Sequence, residues 1–167
     1  HAVRGLSMAD ALRCALPWRD PGAGIGPDED GYVLVLGANH RRARGLRLAW
    51  ARLCAECRVL DATRALPTPD TAAPGPRYLN AAVRIAATPG LEPDALRTRL
   101  RAIEDAAGRV RGSGVCALDI DLLARTRGAD LVEVYKPEDL RRDYVRRLLA
   151  ALELTAGGLS QGRQEAR

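Results

Sequence analysis

Short apolar segments of strand type alternate with helical patterns along this chain, and this alternation most restricts the folds that it can adopt. Tyr32–Leu36 is continuously apolar, as in a strand that is covered on both faces. Tyr78–Ala87, Val115–Leu123 and Arg58–Thr63 are also predicted strands, and Asp130–Val134 is predicted as a short edge strand. The order predicts an α+β sheet layered with helices, and a parallel nucleotide-binding sheet is the alternative.

Three segments have the apolar spacing of amphipathic helices. Arg44–Cys57 repeats apolar residues at intervals that bury one face. Proline in a first turn predicts two further helices, over Pro93–Gly108 and from Pro137 to about Leu154. The prolines of Pro67–Pro76 predict an extended, non-helical loop that is long enough to line a site.

The 167 residues suit one domain with terminal extensions. A short helical pattern at Ser7–Leu16 precedes a stretch rich in Pro and Gly, so we expect residues 1–30 to be an extension and linker. Residues 31–154 form the predicted domain. Residues 155–167 are rich in Gly, Gln and Arg, and we expect a flexible tail.

Composition argues against several function classes. Lys and Arg number 26 against 21 Asp and Glu, which gives a net charge of +5. The chain lacks the basic stripe with interleaved aromatic residues that is typical of nucleic-acid binding. It also lacks the about 20 consecutive apolar residues that span a bilayer. We expect a cytoplasmic protein without nucleic-acid or membrane partners, as a monomer or homodimer.

The four cysteines predict neither a zinc site nor a disulfide framework. Cys54 and Cys57 form one C-x-x-C pair without a second pair or a histidine partner. We expect reduced thiols that are buried as small apolar side chains.

Two carboxylates stand out within an apolar strand pattern. Asp119 and Asp121 are two residues apart, so both project from the same face of the predicted strand. Adjacent like charges repel unless a cation neutralises them, and Mg²⁺ bound by one or two carboxylates plus substrate phosphates has this arrangement. The alternative is a solvent-facing strand that carries two acids by chance.

Two further patterns indicate ligand binding. Arg109 and Arg111 precede the acidic strand by a short loop and suit the clamping of phosphate oxygens, although a solvated loop is the alternative. Tyr78 and Asn80 share one strand face, where the ring could stack on a flat heterocycle and the amide could bind its edge. Ordinary packing at a sheet edge is the alternative.

Together these motifs resemble, in order and approximate spacing, the 6-hydroxymethyl-7,8-dihydropterin pyrophosphokinases of folate biosynthesis. The resemblance covers roughly residues 31–152. Its motifs are Val35–Asn39, Tyr78–Val83, Ile103-Glu104 with Gly108–Arg111, and Leu118–Leu123. It implies a ferredoxin-like α+β fold with a largely antiparallel sheet. It also implies transfer of the terminal diphosphate of ATP to the pterin hydroxymethyl group, with AMP as the second product.

The resemblance assigns the pterin and metal side of the site. Asp119 and Asp121 become ligands of two Mg²⁺ ions that bridge ATP and the substrate hydroxyl. Asn80 would bind the pterin edge, Tyr144 would stack on the ring, and Tyr78 would line the pterin pocket.

On the nucleotide side, the resemblance implies that Glu104 lies beside ATP and that Arg109 and Arg111 contact its phosphates. Lys136 and Arg142 are expected to bind the nucleotide. Lys136 takes the place of a histidine that contacts ATP in the family.

Departures from the family pattern leave alternatives open. The loop before Asp119 is shorter than usual, and Cys116 stands where the family has an arginine. A catalytically impaired pterin-binding paralogue is one alternative, and a kinase of another pterin pathway, such as methanopterin-type cofactor synthesis, is another. A generic nucleotide-binding module based on residues 33–37 is the third, but the chain lacks the G-x-G-x-x-G run.

Overall fold

The computed structural model describes residues 29–40, 42–69, 76–112 and 115–156. Their helices and strands are, in chain order, β1 (Asp30–Ala38), α1 (Arg42–Glu56), β2 (Val59–Ala62), β3 (Leu66–Pro69), β4 (Pro76–Ala86), α2 (Pro93–Ala106), β5 (Asp119–Arg127), β6 (Asp130–Val134), a 3₁₀ helix (Pro137–Arg141) and α3 (Asp143–Ala151). Within this part of the chain, no helix combines the length and the apolar character needed to cross a membrane.

The strands form one sheet in the order β2-β4-β1-β5-β6, and β3 follows β2 along the same edge of β4. All of these pairings are antiparallel. The continuous apolar run of β1 lies at the centre, where both neighbours and both faces cover it. The predicted α+β, ferredoxin-like fold is confirmed, and the alternative of a parallel sheet is wrong for the described strands.

Helices cover both faces of the sheet. On one face, α1 and α2 pack through Trp50 and Leu96 against Leu34 and Ile85. On the other face, α3 packs with its apolar residues, among them Val145, in a cluster that contains apolar residues of β1, β4 and β5. The apolar stripes that predicted the first two helices are therefore the stripes that are buried.

Two elements begin at least four residues later than predicted, and β5 also continues to Arg127, past its predicted end at Leu123. β5 begins at Asp119 rather than Val115, because β1 pairs with it only as far as Gly37 and no strand lies opposite the residues before Asp119. The third helix begins at Asp143 rather than Pro137, because Arg142 is extended, with ψ 131°, and separates the 3₁₀ turn from α3.

The proline-rich segment is also more regular than predicted. Leu66–Pro69 pairs with β4 as a strand instead of remaining an unpaired loop. Proline is tolerated there because β3 lies at an edge of the sheet, where a missing N–H breaks no ladder. Residues 70–75 of the same predicted loop lie outside the described residues.

The ends of the domain differ in how far the structure describes them. The predicted helix Ser7–Leu16 and most of the predicted linker lie outside the described residues. At the other end, Thr155 bonds to β6: its carbonyl accepts from the Leu131 N–H at 2.8 Å, and its N–H donates to the Ala129 carbonyl at 2.8 Å. The predicted tail is therefore attached to the sheet at its first residue.

The C-x-x-C pair lies at the end of α1 as two free thiols. Cys57 is half-buried and packs against the core, as expected. Cys54 is exposed, so the prediction that it is buried is wrong. The apolar spacing that predicted the helix is that of Leu46, Trp50, Leu53 and Cys57, and Cys54 is not one of these positions.

Candidate active site

The register of the sheet brings the predicted pterin and metal residues side by side. Gly37 of β1 is paired with Asn80 of β4 on one side and with Asp119 of β5 on the other. Val35, two residues earlier in β1, is paired with Asp121. Residues that lie directly opposite each other on neighbouring strands project from the same face of the sheet. Val35 belongs to the apolar cluster that contains α3, so this is the face that α3 covers. The prediction that both aspartates share a face is confirmed.

Gly37 leaves the room that the Asn80 side chain occupies. A Cβ atom at Gly37 would lie 2.7 Å from Oδ1 of Asn80, so only glycine allows the amide to lie over β1. Nδ2 of Asn80 donates a hydrogen bond to the hydroxyl of Thr68 in β3. Both side chains are buried, which fixes the plane of the amide.

A cavity of about 670 Å³ opens on this face of the sheet. Nine of the ten predicted site residues line it, and they come from β4, the turn after α2, β5 and the segment around α3. They are Tyr78, Asn80, Arg109, Arg111, Asp119, Asp121, Lys136, Arg142 and Tyr144. The tenth, Glu104, is buried and contacts Arg109. Their individual roles remain predictions.

Each metal-ligand candidate faces a cation. Asp119 contacts Arg109, and Asp121 contacts Lys136. Burial alone would raise the pKa of Asp119, but the hydrogen bond and charge of Arg109 outweigh it and hold this pKa below its usual value. Burial, together with the charge of Asp119, raises the pKa of Asp121 despite its contact with Lys136.

The donor set fits Mg²⁺ bound mainly through its substrate. The two carboxylates share one face, and their side chains keep 37% and 25% of their surface exposed. Within the described residues, no group of three or more Asp, Glu, His and Cys side chains could hold a metal ion. Asp119 and Asp121 would therefore hold the ion with water and phosphate oxygens as the remaining ligands, which is the usual mode for Mg²⁺.

Glu104 connects the end of α2 to the start of β5. Its carboxylate accepts a hydrogen bond from the N–H of Ile120 at 3.3 Å and also contacts Arg109 and, at 3.5 Å, Arg111. Burial raises the pKa of Glu104, while Arg109 opposes this shift. Glu104 thus contacts both arginines, and of the two Arg109 also contacts Asp119.

The predicted phosphate-side cations are all paired with carboxylates. Besides the contacts above, Arg111 binds Asp105 at 2.8 Å and Arg142 binds Asp139 at 3.2 Å. A polyphosphate that enters the cavity must therefore compete with these carboxylates for its positive partners.

The two tyrosines line the cavity from different elements. The hydroxyl oxygen of Tyr78 accepts a hydrogen bond from Nδ2 of Asn39 at 3.2 Å. Tyr144 belongs to the first turn of α3 and packs against the apolar cluster on that face. Burial raises the pKa of Tyr144, so its hydroxyl stays protonated at neutral pH.

Sequence reasoning missed Thr68, which binds Asn80, and the side-chain hydrogen bonds that Asn39 makes with Tyr78 and with the backbone N–H of Cys116. Alternation along β3 could have indicated Thr68 if that segment had been recognised as a strand. Cys116 lines the cavity, but burial and then the charge of Asp119 raise the pKa of its thiol, so it is a poor nucleophile.

Comparison with known proteins agrees with this geometry. Residues 33–154, most of the chain, match the family model described as 7,8-dihydro-6-hydroxymethylpterin-pyrophosphokinase. The search of curated proteins gives no match. The matched residues span the described sheet from β1 to the end of α3 and include every predicted site residue. The chain therefore belongs to the family of pyrophosphokinases that act on hydroxymethyldihydropterin in folate synthesis.

Proposed function

We propose that this chain transfers the terminal diphosphate of Mg²⁺-bound ATP to the hydroxymethyl group of 6-hydroxymethyl-7,8-dihydropterin. The products are the pterin diphosphate and AMP. The bond that forms joins the pterin hydroxyl oxygen to the β-phosphorus of ATP, and the bond that breaks joins the β-phosphorus to the oxygen that bridges it to the α-phosphorus. AMP therefore leaves with the bridging oxygen, and the β- and γ-phosphates move together to the pterin. The hydroxyl loses its proton in the same exchange.

The row formed by Asn80, Gly37 and Asp119 carries this proposal. Asn80 and Asp119 belong to strands separated only by β1, so their backbones are about 10 Å apart, twice the spacing of adjacent strands. A two-ring heterocycle with a one-carbon arm spans this distance. The Asn80 amide would bind the ring edge, and the hydroxymethyl group would then lie near the aspartate pair.

The proposed chemistry requires no protein nucleophile. Phosphoryl transfer is catalysed mainly by positioning and charge neutralisation. Mg²⁺ on Asp119 and Asp121 would neutralise phosphate charge when bound. Arg109 and Lys136 contact the same aspartates, and with Mg²⁺ bound there each cation would be available to bind the phosphates instead.

The test is AMP formation from ATP, Mg²⁺ and the dihydropterin, with the pterin diphosphate identified as the second product. The double variant Asp119→Ala/Asp121→Ala should lose at least about 10³-fold in rate, since it removes the ligands that orient the ion. Asp94→Asn, an exposed carboxylate in the first turn of α2, is the matched control and should keep full activity. Turnover that survives in the double variant would contradict the proposal.

A second candidate is a pterin-binding protein with impaired catalysis. The observation that favours it is Cys116, a neutral thiol in the cavity wall where the family has a charged side chain. Saturable pterin binding without AMP formation would select this candidate. Turnover with a different hydroxymethylpterin alone would indicate another pterin pathway.

A further inference from the structure

The segment Cys116–Leu118, called here the anchor segment, leads directly into Asp119. The carbonyl of Cys116 accepts hydrogen bonds from the backbone N–H groups of Asn39 and His40, at 2.9 and 3.1 Å. A Cβ atom at Gly45 of α1 would overlap the carbonyl oxygen of Ala117, so α1 lies directly against the segment. The anchor segment is thus held on two sides just before the first metal-ligand candidate.

The side chain of Asn39 extends this attachment across the sheet. Its Oδ1 accepts a hydrogen bond from the N–H of Cys116 at 2.6 Å, and its Nδ2 donates to the hydroxyl oxygen of Tyr78 at 3.2 Å. The two ends of one rigid amide therefore join residues that are 38 positions apart in sequence. One partner lies in the wall proposed for the pterin, and the other lies three residues before Asp119.

We propose that Asn39 is a positioning residue that keeps the pterin wall at Tyr78 in register with the aspartate pair. This inference rests on the proposed function and adds a residue to it. Because the amide is planar, a shift of the Tyr78 hydroxyl reorients Oδ1 and so changes the bond to Cys116. Because α1 blocks the anchor segment at Gly45, displacement of the segment is passed on to Asp119.

The first test measures hydrogen exchange of the Cys116 amide without any turnover. Tyr78→Phe removes only the hydroxyl, and it should speed this exchange about fivefold, since a lost hydrogen bond loosens the amide that it oriented. Asn39→Ala should speed the same exchange at least about tenfold, because it removes the acceptor itself. Tyr135→Phe is the matched control, since its hydroxyl binds Glu133 instead. Unchanged exchange in Tyr78→Phe would overturn the proposal.

The second test is a double-mutant cycle on the reaction. Asn39→Ala and Tyr78→Phe should each lower kcat about tenfold with KM for the pterin changed less than about threefold, because the hydrogen bonds that they remove position the site and the phenyl ring left in place of Tyr78 can still line the pterin pocket. The double variant should be no slower than Asn39→Ala. Additive losses, or a loss only in KM, would contradict the proposal. If Asn39→Ala does not fold, Tyr78→Phe decides the question alone by exchange and by its kcat.

Failure of this inference is distinguishable from failure of the proposed function. Wild-type protein that forms no AMP contradicts the function, while the exchange comparison still tests the link between Tyr78 and Cys116. Wild-type protein that forms AMP, with unchanged exchange in Tyr78→Phe, contradicts only the role of Asn39.

Discussion

Two glycines of the central strand allow polar side chains of β4 to lie across it. Asn80 lies over Gly37 at the site. At the other end of the strand, Arg84 lies over Gly31, and its Nε donates to the hydroxyl of Thr126 at 3.1 Å. A Cβ atom at Gly37 would meet Oδ1 of Asn80, and one at Gly31 would meet the carbonyl of Ile85 and the Thr126 hydroxyl that Arg84 binds. At the scale of single residues, the site therefore depends on the lack of a side chain at Gly37 as much as on its carboxylates.

Gly37→Ala should reduce pterin affinity at least about tenfold, because the new Cβ forces the Asn80 amide away from its partners. Calorimetric titration with the pterin in the presence of a non-hydrolysable ATP analogue measures the effect. Asn80→Ala should give a similar loss, and the two substitutions combined should not add. Equal affinity in wild type and Gly37→Ala would disprove the role given to this glycine.

Lys136→Met should change the affinities for metal and nucleotide in opposite directions. The lysine contacts Asp121 in a partly exposed pair, so its removal should raise Mg²⁺ affinity about threefold in the absence of nucleotide. Affinity for the ATP analogue should fall, because a cation near the phosphates is lost. Calorimetry gives both values. Arg142→Met is the control and should leave Mg²⁺ affinity unchanged, because Arg142 contacts Asp139 instead. If Lys136→Met lowered the affinities for both Mg²⁺ and the ATP analogue, Lys136 would not exchange Asp121 for the phosphates.

At the scale of elements, α1 lies against the anchor segment just before β5 begins. The apolar stripe of α1 predicts the helix and its buried face, since Leu46, Trp50 and Leu53 follow helical spacing. Its contact at Gly45 joins residues more than 70 positions apart. No local pattern encodes that contact.

Gly45→Ala should destabilise the protein although alanine favours helices by about 1 kcal/mol. The new methyl group meets the backbone of Ala117, which cannot move without displacing the anchor segment, so a net loss of about 2 kcal/mol in the free energy of unfolding is expected. Urea denaturation measures it. Ala51→Gly, at an exposed position of the same helix, measures the difference in helix propensity between alanine and glycine without any new contact. If Gly45→Ala stabilised the protein, the close contact between Gly45 and Ala117 would be refuted.

The local sequence pattern predicted which helices and strands form better than it predicted where they begin and end. Strand alternation placed Asp119 and Asp121 on one face, because that requires only a period of two. Asn80 and Asp119 lie close together because of the register between strands that are far apart in sequence. Only the family resemblance suggested that these two residues share a site. The extended backbone at Arg142 interrupts a segment whose apolar spacing continues, so periodicity alone cannot detect it.

At the scale of the whole molecule, helices on both faces leave the site at one end of the sheet. The cavity draws residues from β1, β3, β4, β5 and α3, so it exists only when these four strands and this helix are assembled. A ligand that fills it binds the native state and not the unfolded chain. Binding must therefore stabilise the fold as a whole.

Mg²⁺ with a non-hydrolysable ATP analogue should raise the melting temperature. At ligand concentrations about 100 times Kd, the added stability is about 2.7 kcal/mol. Differential scanning calorimetry measures the shift. The ATP analogue should raise the melting temperature of the double variant Asp119→Ala/Asp121→Ala only slightly. In the absence of Mg²⁺, the rise for the wild-type protein should be equally small. An equal rise in melting temperature in the double variant and the wild type would show that the nucleotide binds away from the two aspartates.

The attachment of Thr155 also bears on how this protein avoids aggregation. β6 ends the sheet on one side, and Val132 of that strand is 42% exposed. Unpaired backbone groups beside an exposed apolar residue are a template on which another chain can add a strand. Thr155 occupies the N–H of Leu131 and the carbonyl of Ala129. Thr155 therefore removes one donor and one acceptor at the start of this edge from the groups with which a neighbouring molecule could pair.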